Sequence, residues 1–272
     1  MSSQYPFLGL GFNSWAQKFG RESYQSGSSS SIITEGLVLH LDAANSSSYG
    51  GSGDTWSDLS SNSNNATRTD PNEVVFNSSG WFDWTDGPGG GFDGTQGGFI
   101  LPNDSFTLGS NFTIEVWNYY DSPSAPAVSP WNGGTLWTNS ASADWNTGSG
   151  NNNGLLFGYN TIRYKTINGS ERSLHFSSNP TTQVWHQHVL VFDSGTVTVY
   201  VDKNFEGTKT DFKTSYTQSN GDLGIGIADK FGGSFRGEYL GFISIVRVYT
   251  QSLTLEEITT NYDAHKGRYG LS

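Results

Sequence analysis

At 272 residues the chain has room for one large all-β domain or two small ones, and only 14% of its side chains are charged. Fourteen basic against 25 acidic residues leave a net charge of −11; no basic stripe interrupts this balance, which excludes the phosphate-neutralising surface of a nucleic-acid binder. The absence of cysteine excludes disulfides and thiolate chemistry, and no run approaches the ~18 apolar residues of a membrane-spanning helix. A chain without disulfides also fits a microbial or viral protein better than a small secreted animal domain.

The chain opens with MSSQYPFLGLGFNSWAQKFG, which has neither a helical period nor strand alternation. It lacks the basic start and unbroken apolar stretch of a secretory signal. Tyr5, Phe7, Leu8, Phe12, Trp15 and Phe19 make it apolar, and SGSSSS separates it from the first strand. Residues 1–31 therefore read as an anchoring arm with a Ser/Gly spacer, and residues 32–272 as one domain. Burying one large apolar side chain is worth about 1.5–3 kcal/mol, against about 1–2 kcal/mol per residue to order the backbone. The arm is expected to be buried on a partner, with the alternative that it returns to its own domain as an added edge strand.

GLVLHLD (36–42) is the first strand. The polar loop after it is pinned by Trp56 and Leu59. EVVFN (73–77) and GGFILP (97–102) are short strands on either side of the glycine-rich DGPGGGFDG. NFTIEVWNYY (111–120) alternates, with Phe112, Ile114 and Val116 on one face and Thr113, Glu115 and Trp117 on the other. Residues 121–154 read as a loop rich in Pro, Gly and Asn, holding Trp131, Trp137 and Trp145. GLLFGYN, TIRYKTI and RSLHF read as a meander. VWHQHVLVFDSGTVTVYVDK reads as a hairpin turning at Asp193-Ser194-Gly195. DLGIGIA and GEYLGFISIVRVYT complete the sheets. LTLEEITTNYDAH reads as the one helix, opened by a Thr254/Glu257 capping box and stopped at Gly267. Short alternating strands with a single late helix predict an all-β antiparallel sandwich.

GGFDGTQGGFILPNDSFTLGSNFTIEVW, VWHQHVLVFDSGTVTVYVDKN and GEYLGFISIVRVYTQSLTLEEI occur in the order found in laminin-G-like domains. Residues 36–265 thus resemble the concanavalin A-like lectin/glucanase superfamily, which implies a jelly-roll β-sandwich. The flanks GLVLHLDAANSSSYGGSGDTWSDLSSNSNNAT and NYDAHKGRYGL resemble laminin-G-like virion proteins of tailed phages, especially those infecting cyanobacteria. This resemblance implies a non-enzymatic particle component: a capsid decoration or head-associated protein anchored by its arm. The alternative it leaves open is a tail adhesin that binds host surface glycans. The implied partners are the major capsid protein or other virion proteins and further copies of the chain, with host glycans for the adhesin. The implied place is the virion surface, after synthesis in the host cytoplasm.

The fold also hosts glucanases, whose paired acids lie two residues apart on one strand so that they share a face. Glu115 stands alone in FTIEVW, so a hydrolase is not expected. His186 and His188 share one face of their strand, which is a start for a metal site; a structural pair of polar residues beside Trp185 is the favoured reading. No Gly-x-Ser-x-Gly elbow occurs, and no Gly-Lys-Ser/Thr follows GPGGGFDG. Some laminin-G-like and lectin jelly rolls bind calcium at a sheet rim, and Asp93, Asp222 and Asp229 are the loop acids available for it. No other cofactor is expected. Trp131, Trp137 and Trp145 are the candidates for stacking on sugar rings, against a role as pins holding a long loop to the sandwich.

Overall fold

The computed structural model describes residues 31–84, 97–102, 105–124, 134–138, 154–165, 171–212, 222–231, 234–236 and 239–272. The first strands are β1 (Leu37–Asp42), β2 (Thr55–Trp56), β3 (Ala66–Arg68), β4 (Val75–Asn77), β5 (Trp81–Asp83) and β6 (Phe99–Leu101). Next come β7 (Asn111–Tyr120), β8 (Thr135–Thr138), β9 (Gly154–Gly158), β10 (Thr161–Lys165), β11 (Glu171–His175) and β12 (Trp185–Asp193). β13 (Thr196–Val201), β14 (Asn204–Lys209), β15 (Leu223–Ile225), β16 (Asp229–Phe231), β17 (Ser234–Arg236) and β18 (Gly241–Tyr249) complete the set. Helix α1 (Leu255–His265) runs directly into a 3-10 turn, Lys266–Tyr269.

Two antiparallel sheets carry the fold. One has the order β14-β13-β12-β7-β18-β5-β4, with β1 also paired to β18; the other has the order β11-β10-β9-β8-β15-β6-β3-β2. They enclose one core, to which the first sheet gives Leu39, Phe112, Ile114, Val116, Leu190 and Val246, and the second Trp56, Phe99, Leu101, Trp137, Phe157 and Ile225. Phe82 stands edge-on to Phe99 at 4.5 Å between ring centroids and meets Trp56 at 4.8 Å, so aromatic rings bridge the sheets. This is the antiparallel jelly-roll sandwich with one short C-terminal helix that the sequence predicts.

Local chemistry explains the best-defined elements. β12 and β13 join through Ser194 (φ 47°) and Gly195 (φ 96°), and β13 and β14 through Asp202 (φ 49°) and Lys203 (φ 71°). Positive φ at both central residues matches the right-handed twist of paired strands. Thr254 accepts from the Glu257 N–H, and the Glu257 carboxylate accepts from the Thr254 N–H, which closes the capping box. Gly267 does not end the helical run, contrary to the expectation from sequence. The chain continues through the 3-10 turn and stops at Gly270, whose φ of 70° suits a residue without Cβ.

Strand β18 serves two neighbours in turn. Gly241–Ile243 face β5, a bulge follows, and Ile245–Tyr249 pair with β1. At the bulge the Ser244 hydroxyl donates to the Gly80 carbonyl at 2.6 Å, and its own carbonyl accepts from the Ala43 N–H. The outward face of this sheet is covered by α1, so β7 is buried on both faces.

Candidate functional site

Alternation on β7, β12 and β18 sends Glu115, Trp117, Gln187 and Arg247 outward, beneath α1. Glu115 Oε1 accepts from Arg247 Nη1 at 2.8 Å, Gln187 Nε2 at 2.9 Å and Trp117 Nε1 at 3.1 Å. Its Oε2 accepts from Asn261 Nδ2 of the helix at 2.9 Å. Four donors on a carboxylate whose side chain is 1% exposed occupy both of its oxygens beneath α1. Glu115 is thus a peg joining helix to sheet.

The same face carries a second link. Arg268 grips Asp42 with two parallel bonds, 2.7 and 2.9 Å, and ties the 3-10 turn to β1. Between the two arginines lie His265, which accepts from Arg247 Nη2, and His40, whose Nε2 has no hydrogen-bond partner. Burial, then the charges of Arg247 and Arg268 and the nearby His40, lower the His265 pKa to about 2. Burial, then Arg247, lowers that of His40 to about 3, although Asp42 and Asp58 pull the other way. Both rings are therefore neutral at pH 7.

His186 and His188 share the inward face of β12, opposite Trp185, as the structural pair of polar residues that the sequence favours. His186 Nδ1 lies 2.5 Å from Asp202 Oδ2 and Nε2 lies 2.7 Å from the Thr181 carbonyl. Two acceptors require two N–H groups, so this ring is an imidazolium. Burial opposes the charge, but the hydrogen bond and charge of Asp202 outweigh it, and the pKa is raised. His188 is the contrary case: its Nε2–H donates to the Tyr159 carbonyl at 2.9 Å, and its Nδ1 accepts from Asn118 Nδ2 at 2.8 Å. Complete burial and the neighbouring His186 charge keep it neutral. All four ring nitrogens are engaged by protein, and among the described residues no three His, Cys, Asp or Glu side chains gather as a metal-binding group.

Trp137 does not face a sugar. It lies on β8 at 0% exposure, stacked on Phe106 at 6.3 Å inside the core; of the two alternatives this is the pin and not the sugar-stacking ring, and it sits on a strand where a loop was expected. Trp131, Trp145, Asp93 and the six arm residues Tyr5, Phe7, Leu8, Phe12, Trp15 and Phe19 lie outside the described residues. Sequence reasoning missed the one place where described tryptophans reach the surface. Trp56, Trp84, Trp117 and Trp137 are buried, whereas Trp81 and Trp185 are half-buried and their rings lie 5.5 Å apart. Tyr119 and Phe242 stack beside them at 4.9 Å, and Tyr269 of the 3-10 turn meets Trp185 at 4.5 Å. The signal lay in alternation: Trp117 and Tyr119 are two apart on β7, and their cross-strand partners include Trp185 and Phe242.

Solved structures with the same fold include domain 4 of AbnA, an extracellular arabinanase from Geobacillus stearothermophilus, in complex with arabinotriose. It is 16% identical with a TM-score of 0.54, over 85% of this chain and all of that one. The receptor-binding domain of botulinum neurotoxin type G is 15% identical with a TM-score of 0.52, over 84% of this chain and 51% of that one. A Trypanosoma rangeli sialidase is 16% identical with a TM-score of 0.56, over 87% of this chain and 34% of that one. The chain thus spans about half of the toxin domain and a third of the sialidase. Among curated proteins none matches. A laminin-G-type family model described as the concanavalin A-like lectin/glucanases superfamily matches residues 93–259, more than half of the sequence, and the chain belongs to that superfamily.

Proposed function

We propose that the chain is a non-enzymatic structural protein of a tailed-phage particle, a capsid decoration or head-associated protein whose N-terminal residues grip the shell. The observation that carries the non-catalytic part is the fate of Glu115, the isolated strand acid, whose two oxygens are taken by four internal donors under α1. The particle role rests on the resemblance of the flanks to virion proteins and on the apolar arm, Tyr5 to Phe19. The test is co-sedimentation with undecorated capsids, comparing the full chain with one lacking residues 1–24. Pelleting of the full chain alone supports anchoring through the arm. If neither chain pellets, the capsid reading is abandoned.

A second reading is favoured by the likeness to the AbnA domain, which was solved with arabinotriose: a tail adhesin for host surface glycans. Trp131 and Trp145 then remain the stacking candidates, without the buried Trp137. Binding on a glycan array that disappears in a Trp131→Ala/Trp145→Ala double variant, with capsid pelleting absent, would favour this reading over decoration.

A further inference from the structure

The half-buried rings of Trp81, Tyr119, Trp185 and Phe242, with Tyr269 at their edge, form an apolar patch on the outward face of the helix-covered sheet. Val184, next to Trp185 in the chain, is 38% exposed and is one of three large apolar side chains so exposed among the described residues. A sugar site combines stacking rings with convergent polar groups. This cluster is built from rings in contact with one another, so an apolar peptide suits it better than a glycan does.

We infer that the patch is the resting place of the chain's own N-terminal arm, residues 5–19. This rests on the reading of residues 1–24 as an apolar arm, and it adds where the arm lies before it meets a particle. Three observations on this chain point to that occupant. First, the match in character: residues 1–17 carry no charged side chain, and Tyr5, Phe7, Phe12 and Trp15 fall among them. Second, the point of entry: the Ile33 N–H donates to Asn261 Oδ1 at 2.9 Å, and its side chain packs against the cluster of Val189, Val191, Tyr249, Leu253 and Ile258, so the chain joins the sandwich beside α1 on the patch's own face. Third, the reach: Asn261 and Tyr269 are eight residues apart along α1 and the 3-10 turn, a rise of about 14 Å. The seven residues from Gln25 to Ser31 extend to about 23 Å, enough to bring Phe19 to the patch. A tether of this length also gives the chain's own arm a high effective concentration over that of any other copy.

Because the chain has no cysteine, two introduced thiols can be spin-labelled without ambiguity. Ser14→Cys in the arm and the exposed Ser79→Cys beside Trp81, in the full chain, report their separation by electron–electron double resonance. A docked arm gives a narrow, short distance that persists when labelled chains are diluted with unlabelled ones. Trp15→Ala abolishes that narrow distance without lowering the melting temperature. A broad distribution in the parent chain, unchanged by Trp15→Ala, overturns the inference. Loss of the short distance on dilution gives the patch to the arm of a second copy and overturns it as stated. A broad distribution, together with saturable protection of Trp185 by added arabino-oligosaccharide, gives the patch to a sugar. Capsid pelleting of the same labelled chain separates this inference from the particle reading: a docked arm without pelleting sinks only the latter, and pelleting with an undocked arm only the former.

Discussion

The carboxylate of Glu115 and the guanidinium of Arg247 neutralise each other where water does not reach, with side chains 1% and 0% exposed. Removing one member of such a pair leaves a buried charge without its counter-ion, which costs about 3–5 kcal/mol. Glu115→Gln keeps the shape and removes the charge, so it is expected to lower stability by about that amount, read as a shift of the urea midpoint at constant slope. A midpoint equal to the parent's would show that Arg247 finds another way to discharge its cost. The sequence marks Glu115 as a single acid on an apolar strand, but not what it does. Its partners come from β7, β12, β18 and α1, and the most distant in sequence, Asn261, is 146 residues away. No local spacing carries that information.

At the level of single elements, legibility follows how local the stabilising interactions are. β7, the β12–β13 hairpin and α1 were readable because alternation, a two-residue turn and a capping box are written in adjacent residues. β2, β3, β5 and β8 have two to four residues each and exist because a neighbouring strand pairs with them. Trp137 was misread for that reason: its loop-like surroundings hid a strand that fills the core. Two substitutions test the element-level account. Thr254→Ala removes the N-cap oxygen and is expected to cost about 1 kcal/mol, seen as a lower melting temperature and faster amide exchange in the first turn of α1. Gly241→Ala is expected to be far worse. Its φ is 141°, and an added Cβ would lie 2.0 Å from the Tyr119 carbonyl oxygen, so β18 must pull away from β7. Soluble, cooperatively melting Gly241→Ala protein with parent stability would contradict this register.

Across the whole molecule, three histidines on strands of the first sheet, His40, His186 and His188, and His265 of α1 set how stability follows pH. His40, His188 and His265 have folded pKa values below the ordinary 6.5, through burial first and then Arg247 for His40 and His265 and the charged His186 for His188. Between pH 6.5 and their folded values, the unfolded chain binds protons that the folded chain refuses. Their contribution is therefore complete above pH 6.5 and is lost as pH falls. Each fully refused proton steepens the loss by about 1.4 kcal/mol per pH unit. His186 has the opposite sign: paired with Asp202, its pKa is raised, so its contribution is complete below 6.5 and fades as pH climbs past the folded value. The expected profile is a maximum near neutrality, with a fall from pH 6.5 to 5 that begins before most carboxylates titrate. His40 is the residue to change, because its unpartnered Nε2 means that little bonding is lost with it. The groups acting on it are Arg247 and Arg268 against its charge and Asp42 and Asp58 in favour, with His265 alongside. His40→Gln removes one proton-refusing site and leaves those charges in place, so melting temperatures at pH 7.5, 6.5, 5.5 and 5.0 should fall less steeply than the parent's. Parallel profiles would mean that His40 takes up its proton in the folded state, and that acid reaches the space under α1 without opening it.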